Sequence, residues 1–298
     1  MKTGSAFRLI VLLSVVAVFS ARAQDNPCRV MPFEVYAEGF KFPEGPSFDP
    51  EGNLYVVDYK RVGDIGVIHP DGTAEVWLDL GKSEANGMAY SPDGRLIACD
   101  DAQKRIISID MKTKKISVVV DNYSEPSHRP NDIVLASNGD IYFTDPNRED
   151  ESIGGRVLCY SQSEKKLYVM ADSLPYPNGL NVSPDRSTLY VACTVGHEII
   201  RYPLTDNGHK AGPGKVIFRM EGGAGPDGIE LDEKGNLYVS HYGMARVYYI
   251  TTEGRLISCA TGFGTDVTNV QIRGEWVYIT EAQKGQVLRI KRSEFEKE

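Results

Sequence analysis

A short phrase recurs six times in this sequence, roughly once every 45 residues. Each copy carries an acidic or amide residue next to residues typical of turns: Pro43-Glu44-Gly45, Ala85-Asn86-Gly87, Pro130-Asn131-Asp132, Pro177-Asn178-Gly179, Pro226-Asp227-Gly228 and, more loosely, Thr268-Asn269-Val270. A turn signal and an apolar strand follow every copy, beginning at Leu54, Leu96, Ile141, Leu189, Leu237 and Val277. A repeat of this length indicates one supersecondary unit per copy, stacked against its neighbours.

Turn residues divide each unit into four short apolar segments. In the first unit, residues 49–53 (Asp-Pro-Glu-Gly-Asn) and 70–72 (Pro-Asp-Gly) mark two turns, because Pro presets one turn dihedral and Gly accepts positive φ. Residues 24–298 show no convincing 3.6-residue apolar period, so helix should be scarce. Six such units predict an all-β fold, a six-bladed β-propeller with four antiparallel strands per blade.

The last unit has only three strands of its own, because the chain ends in a charged tail after Val287–Ile290. Residues 33–37 precede the first blade and would complete the sixth, which closes the ring and covers a bare sheet edge. We predict this closing strand at 33–37, blades at 42–291 and a single propeller domain over 24–298.

The first 23 residues have the pattern of a secretory signal. Lys2 and Arg8 form a basic start, Leu9–Phe19 an apolar core, and residues 21–23 (Ala-Arg-Ala) a cleavage site. The apolar core is too short to span a bilayer, and an uncleaved anchor is the alternative. We expect an exported protein, periplasmic or secreted, with no membrane association after cleavage.

Net charge restricts the partners. The whole chain carries −8, and removing the three basic residues of the signal leaves about −11. This negative field repels phosphate backbones and anionic membranes. We therefore expect no nucleic-acid partner. Separately, we expect a monomer that acts on a small molecule.

Five cysteines follow the signal without a Cys-x-x-Cys spacing, so zinc-ribbon and redox sites are poorly supported: Cys28, Cys99, Cys159, Cys193 and Cys259. An exported chain can form disulfides, and an odd number leaves at least one thiol outside an intramolecular bridge. The pairing stays open at this stage. We expect most of the five to be small buried hydrophobes.

The repeated phrase is the best candidate for a site, because a propeller fold does not itself define function. The phrase lies at the innermost strand of each blade, so its acidic and amide residues should meet at one mouth of the central channel: Glu44, Asn86, Asn131, Asn178, Asp227 and Asn269. Two buried carboxylates with no nearby Lys would be costly without a cation. Oxygen donors favour Ca²⁺ first, then Mg²⁺ or Mn²⁺, with Zn²⁺ less suited. Turn formation alone is the alternative explanation of the phrase.

These residues resemble the gluconolactonase/regucalcin (senescence marker protein) family of six-bladed propellers. The resemblance covers about residues 33–291 and rests on Phe42–Pro46, Arg129–Asp132, Tyr142–Pro146, Pro177–Leu180 and Pro226–Gly228. It implies lactone hydrolysis with one divalent metal ion, held by residues matching Glu44, Asn178 and Asp227 with Asn131 beside it. It also implies that a residue matching Arg129 hydrogen-bonds substrate hydroxyls, as in some members of the family.

The chemistry of such a site is consistent with these residue types. A divalent cation would act as a Lewis acid on the lactone carbonyl and lower the pKa of a bound water. Following the family, Asp227 is the expected general base on that water, with a purely ligating role as the alternative. Arg129 could instead form a surface ion pair.

Further candidates are weaker. His128 and Asp145, together with Asn131, are candidate substrate-binding residues. His241 could face the channel or simply pack, and residues 147–155 have the composition of a loop that could act as a lid.

Two other functions remain open from the sequence. One is a Ca²⁺-dependent phosphotriesterase or other lactonase of the diisopropyl-fluorophosphatase or paraoxonase type. The other is a non-enzymatic ligand-binding propeller whose ion is structural. The function favoured here is an exported, metal-dependent hydrolase of sugar lactones.

Overall fold

In the computed structural model, residues 28–58, 64–121, 129–148 and 154–297 are described. These residues form six mainly antiparallel sheets of four or five strands. In the described ranges, helix is limited to α1 (Arg292–Phe295) and one 3₁₀ turn at Asp206–Gly208. Within the described residues, no helix has the length and apolar character needed to cross a membrane.

The strands follow one another around the ring in chain order. Two N-terminal strands come first, β1 (Cys28–Val30) and β2 (Glu34–Glu38). Blades 1 to 3 contain β3 (Pro43–Phe48), β4 (Leu54–Asp58), β5 (Asp64–Ile68), β6 (Ala74–Asp79), β7 (Ala85–Ser91), β8 (Arg95–Asp100), β9 (Arg105–Asp110), β10 (Ile116–Val120), β11 (Ile133–Leu135), β12 (Ile141–Asp145), β13 (Gly155–Ser161) and β14 (Lys166–Leu174).

The second half of the chain repeats this order. Blades 4 to 6 contain β15 (Pro177–Val182), β16 (Thr188–Cys193), β17 (Glu198–Thr205), β18 (Lys210–Ala211), β19 (Lys215–Arg219), β20 (Gly225–Leu231), β21 (Asn236–Tyr242), β22 (Arg246–Thr251), β23 (Leu256–Thr261), β24 (Val267–Arg273), β25 (Trp276–Glu281) and β26 (Gln286–Lys291). In blade 4 both β18 and β19 pair with β17, so β18 is a short addition to the outer edge.

The first strand of each blade is innermost and contacts the first strand of the next blade. These contacts run β3, β7, β11, β15, β20, β24 and back to β3. The ring is therefore closed, and the predicted six-bladed propeller is confirmed.

The N-terminal strand closes the sixth blade as predicted. Strand β2 pairs antiparallel with β26, and this sheet has the order β2-β26-β25-β24. The observed strand begins and ends one residue later than the predicted 33–37. The outer edge of β26 is thereby covered, which removes an unpaired row of backbone groups.

Apolar side chains fill the space between neighbouring blades. Tyr142 and Leu189, from the second strands of blades 3 and 4, lie fully buried in one such cluster. Tyr238 and Val277 do the same between blades 5 and 6. Each blade thus buries both faces, because its strands carry apolar side chains on both sides and the sheets pack face to face.

One disulfide joins Cys28 to Cys259. It fastens β1 to β23, with which β1 pairs in parallel at the outer edge of blade 5. The other three cysteines are buried free thiols: Cys99, Cys159 and Cys193. Their burial agrees with the expectation that most of the cysteines are small core residues.

Removal of the disulfide should destabilise the protein. The double variant Cys28→Ala/Cys259→Ala should lose about 2–5 kcal/mol of unfolding free energy, because the bridge restricts the unfolded chain and holds β1 in place. Denaturant unfolding of the oxidised and reduced proteins measures this. Reductant should lower the stability of the wild type and leave the double variant unchanged. Equal stability of the wild type in both conditions would contradict the structural role of the bridge.

Candidate active site

The recurring phrase begins the innermost strand and is followed by a β-bulge. In blade 1, Glu44 pairs with Val57 but Ser47 pairs with Tyr55, so one extra residue lies on the inner strand. The same one-residue shift occurs in blades 2, 4, 5 and 6. A bulge changes the direction of nearby side chains. In blade 3 the phrase instead precedes β11, which begins at Ile133.

The phrase residues surround a cavity of about 380 Å³ at one mouth of the channel. Five of the six predicted oxygen-bearing side chains line it: Glu44, Asn86, Asn131, Asn178 and Asp227. The rest of its wall comes from Phe42, Arg148, Tyr176, Thr194, Val195, Ala224 and Tyr242. The predicted convergence is therefore observed for five blades.

The structure differs from the prediction in the sixth blade. The backbone N–H of Asn269 donates to the Thr280 hydroxyl, as that of Asp132 donates to the Thr144 hydroxyl. Asn269 is thus equivalent to Asp132, one residue beyond the phrase position. In blade 6 the phrase position itself is occupied by Thr268. The signal was present in the sequence, since the spacing from Asn269 to the next strand is shorter than in the other five units.

The residue that follows the phrase position determines which side chains lie inside the channel. Four blades have glycine there, at Gly45, Gly87, Gly179 and Gly228. A Cβ on Gly87 would lie 2.4 Å from Asp132 Oδ1, and one on Gly228 would lie 2.0 Å from Asn269 Oδ1. The glycines therefore leave the space that two side chains fill. Asn269 Nδ2 lies 3.4 Å from Asp132 Oδ2 across the channel, and both residues line a second cavity at the opposite mouth.

Three carboxylates are buried at the hub. Burial, and then the carboxylate of Asp132, raise the pKa of Glu44. Burial, followed by the charges of Glu44 and Asp132, raises the pKa of Asp227 well above its usual value. Burial raises the pKa of Asp132 to about 6. Arg148 acts in the opposite direction on Glu44 and Asp227. These groups resist ionising together, and a divalent cation among them would stabilise their charged forms.

The carboxamides are oriented by neighbouring hydrogen bonds. Asn178 Nδ2 donates to the Thr194 hydroxyl at 3.2 Å, and that hydroxyl donates to the Pro226 carbonyl at 2.8 Å. Asn86 Nδ2 donates to Asn131 Oδ1 at 3.2 Å. The Asn178 nitrogen is therefore engaged in a hydrogen bond, and its oxygen is the atom that can coordinate a cation. The set of carboxylate and amide oxygens fits Ca²⁺, Mg²⁺ or Mn²⁺.

Comparison with known proteins identifies the family. A family model described as "SMP-30/Gluconolactonase/LRE-like region" matches residues 42–283. The chain belongs to this family. The gluconolactonase of Zymomonas mobilis is 31% identical over 78% of this chain and 72% of its own length. Lactonase drp35 of Staphylococcus aureus is 28% identical over 74% of this chain and 69% of its own length.

Solved structures agree with this family assignment. A gluconolactonase from Xanthomonas campestris has a TM-score of 0.77 at 25% identity and covers 87% of this chain and 89% of its own. A calcium-binding protein, regucalcin, from Agrobacterium tumefaciens has a TM-score of 0.77 at 21% identity, covering 88% and 94%. The second likeness shows the shared propeller fold.

Of the residues predicted to bind substrate, Asn131 lines the cavity, whereas Arg129 and Asp145 are not among its lining residues. Arg129 Nε donates to Asp101, and its Nη2 lies 3.6 Å from Glu84 Oε2. Asp145 is fully buried, 3.5 Å from Arg156 Nη2. His128 and residues 149–153 of the predicted lid lie outside the described residues. Substrate binding by Arg129, His128 and Asp145 stays a prediction.

Arg148 is the arginine that lines the cavity, and the sequence reasoning missed it. It follows Asp145-Pro146-Asn147 at the end of β12, in the segment read as part of a loop. Its Nη1 donates to Asp101 Oδ2 at 3.0 Å. The contact to Asp101 spans two blades, so no local pattern in the sequence indicates it.

A second group of metal-binding residue types lies away from the channel. Asp140, Cys159 and His209 bring their ligand atoms within 4.8 Å of one another. His209 Nε2 and Asp140 Oδ2 are 2.8 Å apart, and the Tyr168 ring stacks on His209 at 4.5 Å. A hydrogen bond and a ring stack account for this arrangement as packing between blades 3 and 4. None of the three residues lines the cavity at the hub.

His241 is a packing residue in this structure. It is fully buried, its Nε2 lies 2.8 Å from the Gly222 carbonyl oxygen, and its ring lies against Tyr248. Burial lowers its pKa to about 4, helped by the charge of Arg246 and by His197. Of the two alternatives drawn from the sequence, packing fits these contacts.

The buried His241 should make stability depend on pH. Because its pKa in the folded protein is lowered, the unfolded chain binds the proton more readily between about pH 4 and pH 6.5. The contribution of His241 to the free energy of unfolding therefore decreases as the pH falls through that range, by at most about 1.4 kcal/mol per pKa unit. We expect His241→Asn to remove this contribution.

Urea unfolding of the metal-free protein at pH 4 to 7 tests this as a difference between variant and wild type. The difference is needed because the hub carboxylates, with raised pKa values, contribute a slope of the opposite sign. The control is His69→Gln, since the His69 side chain is 41% exposed. Identical pH dependence of the wild type and His241→Asn would contradict the prediction.

Proposed function

We propose that this protein is an exported, divalent-metal-dependent hydrolase that opens sugar lactones. The observation that carries the proposal is the ring of buried carboxylates and carboxamides around the channel mouth. Support also comes from the family, since relatives from Zymomonas mobilis and Staphylococcus aureus are named gluconolactonase and lactonase.

The ion would be held by Glu44, Asn178 and Asp227, with Asn131 beside them. Glu44 and Asp227 supply two negative charges, which match one divalent cation, and the all-oxygen donors favour Ca²⁺ over Zn²⁺. When bound, the ion would polarise the ester carbonyl and make a nearby water more acidic.

Asp227 is proposed as the general base. Its carboxylate lies on the cavity wall and would accept a proton from the attacking water. The water oxygen bonds to the carbonyl carbon, and the ring C–O bond then breaks. The proton held by Asp227 returns to the leaving alkoxide oxygen, which gives a hydroxy acid.

Asn131 would serve two contacts at once. One lone pair of its oxygen accepts from Asn86, so a second lone pair can face the cation while its NH₂ group donates to substrate. This arrangement would fix the ester near Asp227, and positioning of this kind contributes to rate by reducing the entropy lost at the transition state.

Export is supported by the Cys28–Cys259 disulfide, because such bonds persist mainly in oxidising compartments. The predicted signal, residues 1–23, lies outside the described residues. Export therefore remains part of the proposal.

The catalytic role of Asp227 can be tested with Asp227→Asn. Turnover of glucono-1,5-lactone should fall about 10²–10⁴-fold, because the amide cannot accept the proton. The assay compares the wild type, the variant and Asp232→Asn, a buried carboxylate of the same blade that bonds Tyr249 away from the cavity.

Asp232→Asn should keep most of the activity, and circular dichroism should show all three proteins folded. Near wild-type turnover by Asp227→Asn would rule out Asp227 as the base. A wild type that hydrolyses a fluorophosphate but no lactone would favour the phosphotriesterase alternative, and one that hydrolyses neither would favour a binding propeller.

The ion site can be tested with Glu44→Gln. Loss of one of the two charges should weaken Ca²⁺ binding at least about tenfold, as measured by calorimetry on chelator-treated protein. Lactone turnover of the wild type should disappear on chelation and return with Ca²⁺. The control is Glu230→Gln, whose carboxylate lines the opposite mouth of the channel and should leave the affinity unchanged. Equal Ca²⁺ affinity in Glu44→Gln and the wild type would overturn the ligand set.

A further inference from the structure

A buried ion-pair group lies behind the wall that blades 2 and 3 contribute to the cavity. Asp101 is fully buried and accepts from both Arg129 Nε and Arg148 Nη1. Arg129 also lies 3.6 Å from Glu84. The two guanidinium groups thus share one carboxylate, and the Arg148 side chain, 18% exposed, reaches the cavity.

The cavity wall is divided by polarity. Blades 2 and 3 supply amide and guanidinium groups, from Asn86, Asn131 and Arg148. Blades 1, 4 and 5 supply mainly aromatic and aliphatic groups outside the ligand set, from Phe42, Tyr176, Val195, Ala224 and Tyr242. A ligand at the hub would therefore meet hydrogen-bond donors on one side and apolar surface on the other.

Arg148 is suited to read hydroxyl groups on the polar side. A guanidinium has five N–H donors in a rigid plane, so anchoring through Nη1 to Asp101 is compatible with donation into the cavity. Because Asp101 holds the group in place, less side-chain freedom is lost when a ligand binds.

The charge around Arg148 argues against an anionic ligand. Among the described residues, Arg129 pairs with Asp101 and Glu84, and Arg148 pairs with Asp101. The hub adds three further carboxylates, of which one divalent cation would offset two. A phosphorylated or carboxylated lactone would meet this excess of negative charge, whereas neutral hydroxyls would not.

We propose that Arg148, held by Asp101, is the arginine that determines specificity for neutral polyhydroxylated lactones. Asp101 acts as a positioning residue, and the aromatic wall takes the C–H face of the ring. This inference rests on the proposed lactonase function and adds the residue that selects the substrate.

Two lactones with the same six-membered ring test it. Glucono-1,5-lactone carries hydroxyls and δ-valerolactone does not. Arg148→Ala should raise KM for the hydroxylated lactone about 10–100-fold, the effect of losing hydrogen bonds to a charged group, with kcat changed less than about threefold. It should lower kcat/KM for δ-valerolactone much less than for glucono-1,5-lactone, because only the effect of Arg148 on Glu44 and Asp227 is common to both substrates. Arg148→Lys should fall between wild type and Arg148→Ala.

Asp101→Asn should raise KM for glucono-1,5-lactone in the same direction but less. Arg105→Ala is the matched control, because Arg105 pairs with the neighbouring buried Asp100 and lines no part of this cavity; it should behave as wild type with both lactones. Equal increases in KM for the two lactones in Arg148→Ala would indicate a general structural effect and overturn the proposal.

A binding measurement separates this inference from the proposed activity. Sorbitol, a neutral polyol, should bind the Ca²⁺-loaded wild type and bind Arg148→Ala at least tenfold more weakly, whether or not either lactone is hydrolysed. If wild type turns over neither lactone but shows this difference, the hydrolase function fails and recognition by Arg148 stands. Sorbitol binding that is absent from wild type, or equal in both proteins, overturns the role of Arg148.

Discussion

The repulsion between buried carboxylates at the hub is the constraint on which the rest of this molecule depends. Glu44, Asp132 and Asp227 are each less than a tenth exposed. The charges of Glu44 and Asp132 raise the pKa of Asp227, and the charge of Asp132 also raises the pKa of Glu44. Burying like charges is unfavourable unless a counter-charge or protonation relieves it. A fold that holds these groups together must therefore be stabilised elsewhere, and here that stabilisation comes from the packing between blades.

The ring supplies that stabilisation through contacts between its blades. Apolar clusters between neighbouring blades hold the sheets face to face, and the closing strand β2 joins the ends of the chain. The innermost strands can then carry polar side chains at the phrase position, while later residues of the same strands, such as Leu180 and Val270, join these clusters. Glycines directly after the phrase position leave room inside the channel, because a Cβ at Gly228 would occupy the place of the Asn269 side chain.

The repeat predicted the architecture well, since the period, the turn residues and the missing last strand all act locally in the sequence. Five of six hub residues also followed from the repeat. The sixth did not, because Thr268 occupies the phrase position in blade 6 and Asn269 lies one residue beyond it, where it is equivalent to Asp132. Arg148 and the Cys28–Cys259 bridge could not be predicted, because each depends on contacts between distant parts of the chain.

The residues that differ between blades give the cavity a polar side and an apolar side. Six identical blades would surround the channel with identical groups and could not distinguish one side of a ligand from the other. Blade 6 contributes Thr268, whose hydroxyl donates to the Pro43 carbonyl rather than facing the cavity. Blade 3 contributes Arg148, while blades 4 and 5 place Tyr176 and Tyr242 on the wall. Under the proposed function, the shared phrase would hold the cation, and the differences between blades would supply a polar and an apolar side that orient an ester against Asp227.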